Sequence, residues 1–479
     1  MDHFSYRDGR LFAEGVEVDE IARHIGTPTY VYSAATLRLH ARRFTKAFAP
    51  LAAYSHFAVK CCSNIHVLRV LTREGLGMDV VSAGELLRAF LAGAQPRDVV
   101  YAGVGKTEAE IRMALGDREA LREALLPRGI TAPDNDSLYG GPSTNHALAA
   151  IGRCLAHLEP GPISAFNVES ESELMAIAQV AKSMNVRAGV AIRVNPDVKA
   201  GGHEYITTAT STSKFGVEPG AALAMLRRFG SDKHVAITGL HMHIGSSIVT
   251  TEPYAEAIGR MLELIDRAAL PVDQGGAGVV IRSLDIGGGF GADYHTGDAP
   301  SAADFAAIIV PLLAARAKAG LRIMLEPGRT IAANAGVLLT RVVHIKESAG
   351  RKFVIVDAGM NTLIRPSLYE AFHFMWPTRV APQHQPPRRI PAPDLPGLEP
   401  CDVVGPICES GDFFAKDRQL PAVAQGELMC IFAAGAYGMA MASHYNSHPL
   451  GAEVLVDGDE FEVVRAREGL ADLVARELK

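Results

Sequence analysis

From about residue 30 to residue 330 the chain repeats one unit: a short β-branched or apolar run, a turn rich in Gly or polar residues, then apolar residues at helical spacing. Strands joined through helices cannot fold back as hairpins, so this alternation dictates a parallel sheet. The runs fall at 54–59, 77–81, 98–102, 163–168, 187–193, 237–244, 280–286 and 322–326, with helical patterns such as 83–92, 170–184, 253–268 and 302–318 between them. Eight such runs predict an α/β fold, a closed (β/α)8 barrel over 33–330. Beyond 330 the rhythm changes to short strands at 337–345, 352–357, 426–433 and 451–457, with little helix. That stretch predicts a second, all-β domain, formed by 331–479 and completed by 1–32.

Two segments interrupt the scheme. Residues 116–161 exceed what a strand–helix unit needs and read as an insertion, either a surface excursion or an added oligomer contact or lid. Residues 381–400 are rich in Pro and read as an extended surface connection. Hydrophobic residues at 48% supply an ordinary globular core, and a net charge of −6 gives no general attraction to nucleic acid or anionic membrane. Any phosphate must therefore be bound locally. The 6 cysteines show neither disulfide nor zinc spacing, and no apolar stretch reaches the ~20 residues of a membrane span. A reduced, cytoplasmic, unexported protein is expected, with no nucleic-acid or membrane partner.

The residues with chemical potential gather where apolar runs end. In a (β/α)8 barrel that is the face on which active sites are built. Lys60 closes the run 54–59 and brings a primary amine to that face; desolvation would lower its pKa and free the amine for Schiff-base chemistry. A lone strand-end lysine is ordinarily just solvated, so context decides. Gly287, Gly288 and Gly289 follow Leu284-Asp-Ile286 and could converge backbone N–H groups on an anion, with Ser246 adding a hydroxyl. His241 and His243, two apart, fall on one side of a strand. That spacing suits a metal or an imidazole stacked on a flat ring; with no third ligand in evident reach, stacking is favoured and no metal is expected. Glu326-Pro-Gly-Arg329 ends the last barrel run with an acid and a base, and Arg365-Pro-Ser-Leu-Tyr369 and Ala433-Ala-Gly-Ala-Tyr437 add ligand-reading groups. Gly405-Pro-Ile-Cys-Glu-Ser-Gly-Asp412 sets a thiol, Cys408, beside a carboxylate, Glu409, in a loop shaped by Gly and Pro.

Taken in order with Phe57-Ala-Val-Lys60, Met78-Asp-Val-Val-Ser-Ala-Gly-Glu85, Phe166-Asn-Val-Glu-Ser170, His241-Met-His-Ile-Gly-Ser246 and Gly359-Met-Asn361, these motifs resemble the group IV pyridoxal-phosphate-dependent decarboxylases. The resemblance spans nearly the whole chain outside the insertion. It implies an alanine-racemase-like barrel with a β domain, pyridoxal 5′-phosphate as cofactor, and a homodimer whose active sites are shared across the interface. It implies that Lys60 forms the Schiff base, that His243 stacks on the ring, and that Glu326 meets the ring nitrogen with Asp79 nearby. Ser246, Gly287, Gly288, Gly289, Gly328, Arg329 and Tyr437 would contact the cofactor, and Cys408 would be the proton donor. Charge then argues for the substrate. A second amino-acid group at the far end wants Arg for its carboxylate and an acid for its ammonium. Arg329, Arg365, Tyr369, Tyr437 and Glu409 meet that need, so the expected reaction is decarboxylation of meso-2,6-diaminopimelate to L-lysine. A relative acting on another basic amino acid or on carboxynorspermidine, and a non-catalytic cofactor-binding relative, remain the alternatives. One departure stands out: Lys60-Cys-Cys-Ser-Asn64 puts two thiols beside the amine.

Overall fold

The computed structural model describes residues 3–125, 142–198, 214–295, 297, 299–475 and 477–478. Three short N-terminal strands, β1 (Phe4–Arg7), β2 (Arg10–Ala13) and β3 (Val16–Glu17), form a small antiparallel sheet, and β4 (Thr29–Ser33) follows. Then come β5 (Tyr54–Ala58), β6 (Gly77–Val80), β7 (Val99–Tyr101), β8 (Ala165–Val168), β9 (Ala188–Arg193), β10 (Val235–His241), β11 (Ser283–Asp285) and β12 (Arg322–Leu325). These eight close into a parallel barrel, β12 pairing with β5 through Met324 and Tyr54. Each expected run carries one of these strands, with ends shifted by a few residues. Helices 171–183, 252–269 and 302–318 wrap it, and side-chain caps start the first and the last: Ser170 Oγ accepts the Glu173 N–H at 3.2 Å, and Ser301 with Asp304 forms a capping box.

An aromatic cluster anchors the loop after β11. Phe290 stacks on Tyr254 at 5.1 Å and meets Phe305 and Phe44 edge-on at 5.2 and 5.0 Å. All four rings are buried, each contributing about 1.5–3 kcal/mol of apolar transfer. The hydroxyl of Tyr254 donates to the carbonyl of Gly288 at 2.8 Å, so the core fixes the glycine turn directly.

The second body is a nine-stranded sheet of β4, β13 (Gly336–Ser348), β14 (Arg351–Val356), β15 (Met375–Pro377), β16 (Glu399–Val404), β17 (Phe413–Leu420), β18 (Leu428–Ile431), β19 (Ala452–Asp457) and β20 (Glu460–Arg465). Its main path runs β17-β16-β14-β13-β4-β19-β20. β4 lies inside it, antiparallel to β13 and parallel to β19, with Val31 facing Val337 and Val454. The N-terminal segment thus enters the β body, as the sequence suggested. The Pro-rich connection is shorter than expected, because β16 begins at Glu399 and carries Pro400 within it. Within the expected insertion, 118–124 and 142–156 are helical; residues 126–141 lie outside the described residues.

Candidate active site

The barrel strands deliver the site from their C-terminal ends. Lys60 sits two residues past the end of β5 on a 3-10 turn, and its Nζ donates to Asp79 Oδ2 on neighbouring β6 at 2.6 Å. Asp79 is fully buried, and burial, then Glu326, push its carboxyl up to about 6 against the pull of Lys60. Lys60 departs from the expected direction. Burial works to lower it, but the charges of Asp79 and Glu326 outweigh that and hold the ammonium above its ordinary pKa. The amine is thus held as a cation paired with Asp79 rather than as a free base.

Glu326 follows β12 and is buried at 3% exposure. Its Oε2 faces His241 Nε2 at 3.2 Å and its Oε1 accepts from Asn167 Nδ2 at 3.1 Å. Burial alone would raise this carboxyl; His241 and Lys60 hold it below the usual range, so it remains an anion. Asp285, close by, is driven the other way by burial and by Glu326. One expectation needs correcting here. The sequence offered no third partner for a histidine pair, yet His241, Asp285 and Glu326 bring ligand atoms within 4.8 Å of one another. His243 is not part of that trio, because β10 ends at His241 and strand alternation ends with it.

His243 instead accepts the Gly288 N–H on Nδ1 at 3.1 Å. Burial, then Arg193 and Lys60, keep its pKa well below the ordinary value, consistent with a neutral ring. The Gly287 N–H is likewise taken, by Asp285 Oδ1 at 2.8 Å. Two of the three glycine amides expected to meet an anion are therefore already committed. The glycines have a packing reason as well: a Cβ on Gly287, Gly288 or Gly289 would come within 2.2–2.4 Å of the carbonyl oxygens of Met242, Glu326 and Gly245. Gly287 and Gly289 also hold φ of +72° and +100°.

The β body covers this mouth. The Tyr437 N–H donates to Cys61 O at 2.7 Å, beside Lys60, and the Tyr437 ring lies 4.6 Å from Arg329 Cζ. Buried Glu453 ties the two bodies together, accepting from Tyr32 at 2.7 Å and Asn64 at 3.0 Å. Both thiols after Lys60 are buried, which raises their pKa, Cys62 to about 12. They are packing and backbone anchors: a Cβ on Gly328 would sit 3.3 Å from Cys61 Sγ. Arg329, which begins the short helix 329–332, donates to Ser246 Oγ at 3.1 Å and to Tyr294 Oη. Arg365, on helix 365–369 with Tyr369 at its end, lies 4.4 Å from the Tyr294 ring.

The 405–412 loop is held on the β body as a stapled unit. Asp412 staples it by accepting Ile407 N–H at 2.7 Å and Met360 N–H at 2.6 Å, while Ser367 donates to Gly411 O at 2.6 Å. Cys408 and Glu409 are exposed, bonded to Asn446 through the Cys408 N–H at 2.7 Å and to Tyr445 at 3.2 Å. Among the described residues, no hydrogen bond or ion pair joins either side chain to the barrel. Four contributors escaped the sequence reading: Asn167, Asp285, Tyr294 and His373. Asn167 and Asp285 lay inside motifs already singled out, and His373 is a polar residue inside the apolar run 372–376; Tyr294 left no signal.

An amine at a barrel mouth, a buried carboxylate anion, a neutral imidazole and an arginine–serine pair suit pyridoxal phosphate. Unsatisfied buried atoms remain there to receive a ligand, among them Asp79 Oδ1, Arg329 Nε and Arg365 Nε. Fold and site together define a pyridoxal-dependent decarboxylase, and the family model for the pyridoxal-binding domain of those enzymes matches residues 34–120 and 153–333. The relatives narrow this. Diaminopimelate decarboxylase from Pseudomonas aeruginosa is 42% identical over 477 residues, covering 100% of this chain and 99% of that protein. The Vibrio cholerae diaminopimelate decarboxylase is 38% identical over 478 residues, covering 100% and 99%. The crystal structure of diaminopimelate decarboxylase from M. jannaschii with L-lysine superposes with a TM-score of 0.81 at 31% identity, covering 100% of this chain and 98% of that one. The chain belongs to the diaminopimelate decarboxylase family.

Proposed function

We propose that this chain converts meso-2,6-diaminopimelate to L-lysine and carbon dioxide, the last step of lysine biosynthesis, in the cytoplasm. The observation that carries the substrate is the pair Arg329 and Arg365. Both guanidiniums are buried, at 7% and 5% exposure, and neither has a carboxylate partner among the described residues. Uncompensated buried charge costs several kcal/mol, and anionic ligands would offset it. One anion is the cofactor phosphate, reached by Arg329, Ser246 and Gly289; the other is the far carboxylate of the substrate, reached by Arg365 with Tyr369 and Tyr437.

Bound pyridoxal phosphate supplies an electron sink for the pair left behind when carbon dioxide departs. Lys60 contributes the amine that holds it, with Asp79 orienting that amine. Glu326, kept anionic by His241 and Lys60, holds a proton at the ring nitrogen. His243 presents a neutral ring face fixed by Gly288, and Gly287 and Gly328 let the backbone close around the group. Cys408 delivers a proton to the carbon that lost its carboxylate, and Glu409 receives the far ammonium. Since both are exposed on a stapled loop, we place them in the active site of a second copy, which makes the working unit a homodimer. Cys408→Ala should then cut kcat about 10²-fold while the cofactor stays bound; unchanged turnover would remove the proton-donor role. Arg365→Ala should raise KM about 10- to 100-fold with cofactor affinity intact. Equal loss of cofactor would mean that Arg365 serves the phosphate instead. The reading as a whole is tested by incubation with pyridoxal phosphate and, separately, meso-diaminopimelate, ornithine, lysine or arginine. L-Lysine and carbon dioxide in equal amounts from the first is the expected outcome, and preference for any of the others would overturn it.

A further inference from the structure

Elsewhere in this barrel, buried cations are matched with carboxylates: Arg193 with Glu169 at 2.8 Å and Lys106 with Glu173 at 2.6 Å. Arg365 is treated differently. Its Nη1 meets His373 Nε2 at 2.7 Å, and its plane lies on Tyr294 at 4.4 Å. His373 is fully buried and its tautomer is fixed by geometry: Nδ1 lies 2.9 Å from the carbonyl oxygen of Phe432, which can only accept, so Nδ1 carries the hydrogen and Nε2 offers a lone pair. A protonated ring would turn an N–H toward the guanidinium. The charges that face it forbid that state: Arg365, Arg329 and Arg418 are all cations, and together with burial, the leading cause, they hold the imidazole pKa well below its ordinary value. Arg418 also donates to the His373 carbonyl at 2.9 Å, fixing the backbone from which the ring projects.

We propose that His373 is a positioning residue for substrate selection: a neutral acceptor that aims Arg365 without neutralising it, so that its full charge is left for the far carboxylate of the substrate. A carboxylate in the same place would hold the arginine as firmly, but would compete with the ligand for its charge. Tyr294 acts in the same sense from the barrel side, orienting Arg365 by its ring and Arg329 by its hydroxyl. This inference rests on the reading of Arg365 as the carboxylate reader.

The test compares His373→Gln, His373→Glu and His373→Leu in the holoenzyme. KM and kcat are measured for meso-diaminopimelate, with equilibrium binding of L-lysine, which keeps the far carboxylate, and of 1,5-diaminopentane, which lacks it. Wild type should prefer lysine to the diamine. The Gln variant, still a neutral acceptor, should keep that preference within about threefold. The Glu variant should weaken lysine and raise KM by about tenfold or more, with kcat and diamine binding little changed. The Leu variant, with no acceptor, should raise KM with kcat within about threefold; it carries the test if the Glu variant does not fold. Equal behaviour of Gln and Glu, or a Leu variant that loses kcat and thermal stability together with no change in the lysine-to-diamine ratio, would overturn the positioning role. Absence of any preference in the wild type would be a different failure, removing the substrate reading on which the role depends.

Discussion

Lys60→Ala is expected to cost on the order of 10³-fold or more in kcat, and to abolish the visible absorbance of bound pyridoxal phosphate. Two features of the structure make this the largest effect. The amine is delivered by the strand end itself, on the turn directly after β5. Its partner Asp79 is fully buried and its own carboxyl is already pushed up to about 6, so loss of the cation leaves that acid without its compensating charge. Thermal stability of the variant, followed by circular dichroism, should change far less than activity does. A variant that kept the absorbance and full turnover would remove Lys60 from the centre of the site.

Glu326→Gln is expected to lower kcat by about 10²- to 10³-fold while cofactor remains bound. The amide keeps the shape of the carboxylate and can still face His241 and Asn167. What it cannot do is stay negative. Burial opposes a charge at this position, and the protein overcomes that with His241 at 3.2 Å and the nearby Lys60. In the proposed function, that anion stabilises a proton on the ring nitrogen of the cofactor. The measurement is kcat together with the absorbance spectrum of the bound cofactor; a Gln variant within about threefold of wild type would mean that ring protonation does not limit the reaction.

The barrel was legible because its strands are buried and read as apolar runs, several of them ending in a residue with chemical character. The β body was less so. β17 reads Phe413-Phe-Ala-Lys-Asp-Arg-Gln-Leu420, with charges at its centre, and β16 contains Pro400, so neither resembles a strand in isolation. Site residues at strand ends and in glycine-rich motifs could be found by their chemistry. Their protonation could not, since the paired cation at Lys60 depends on Asp79 and Glu326 arriving from other strands. Tyr294 lies in ordinary sequence, and both it and His373 gain their meaning only when the β body closes over the barrel and sets them against the arginine pair.

The role of Lys60 is tested most directly by where the cofactor attaches. Reduction of the pyridoxal-phosphate-loaded enzyme with borohydride, followed by peptide mapping, fixes that site covalently. The label is expected on Lys60 alone, and to disappear from the Lys60→Ala variant. A label on another lysine such as Lys106, with Lys60 unmodified, would contradict it.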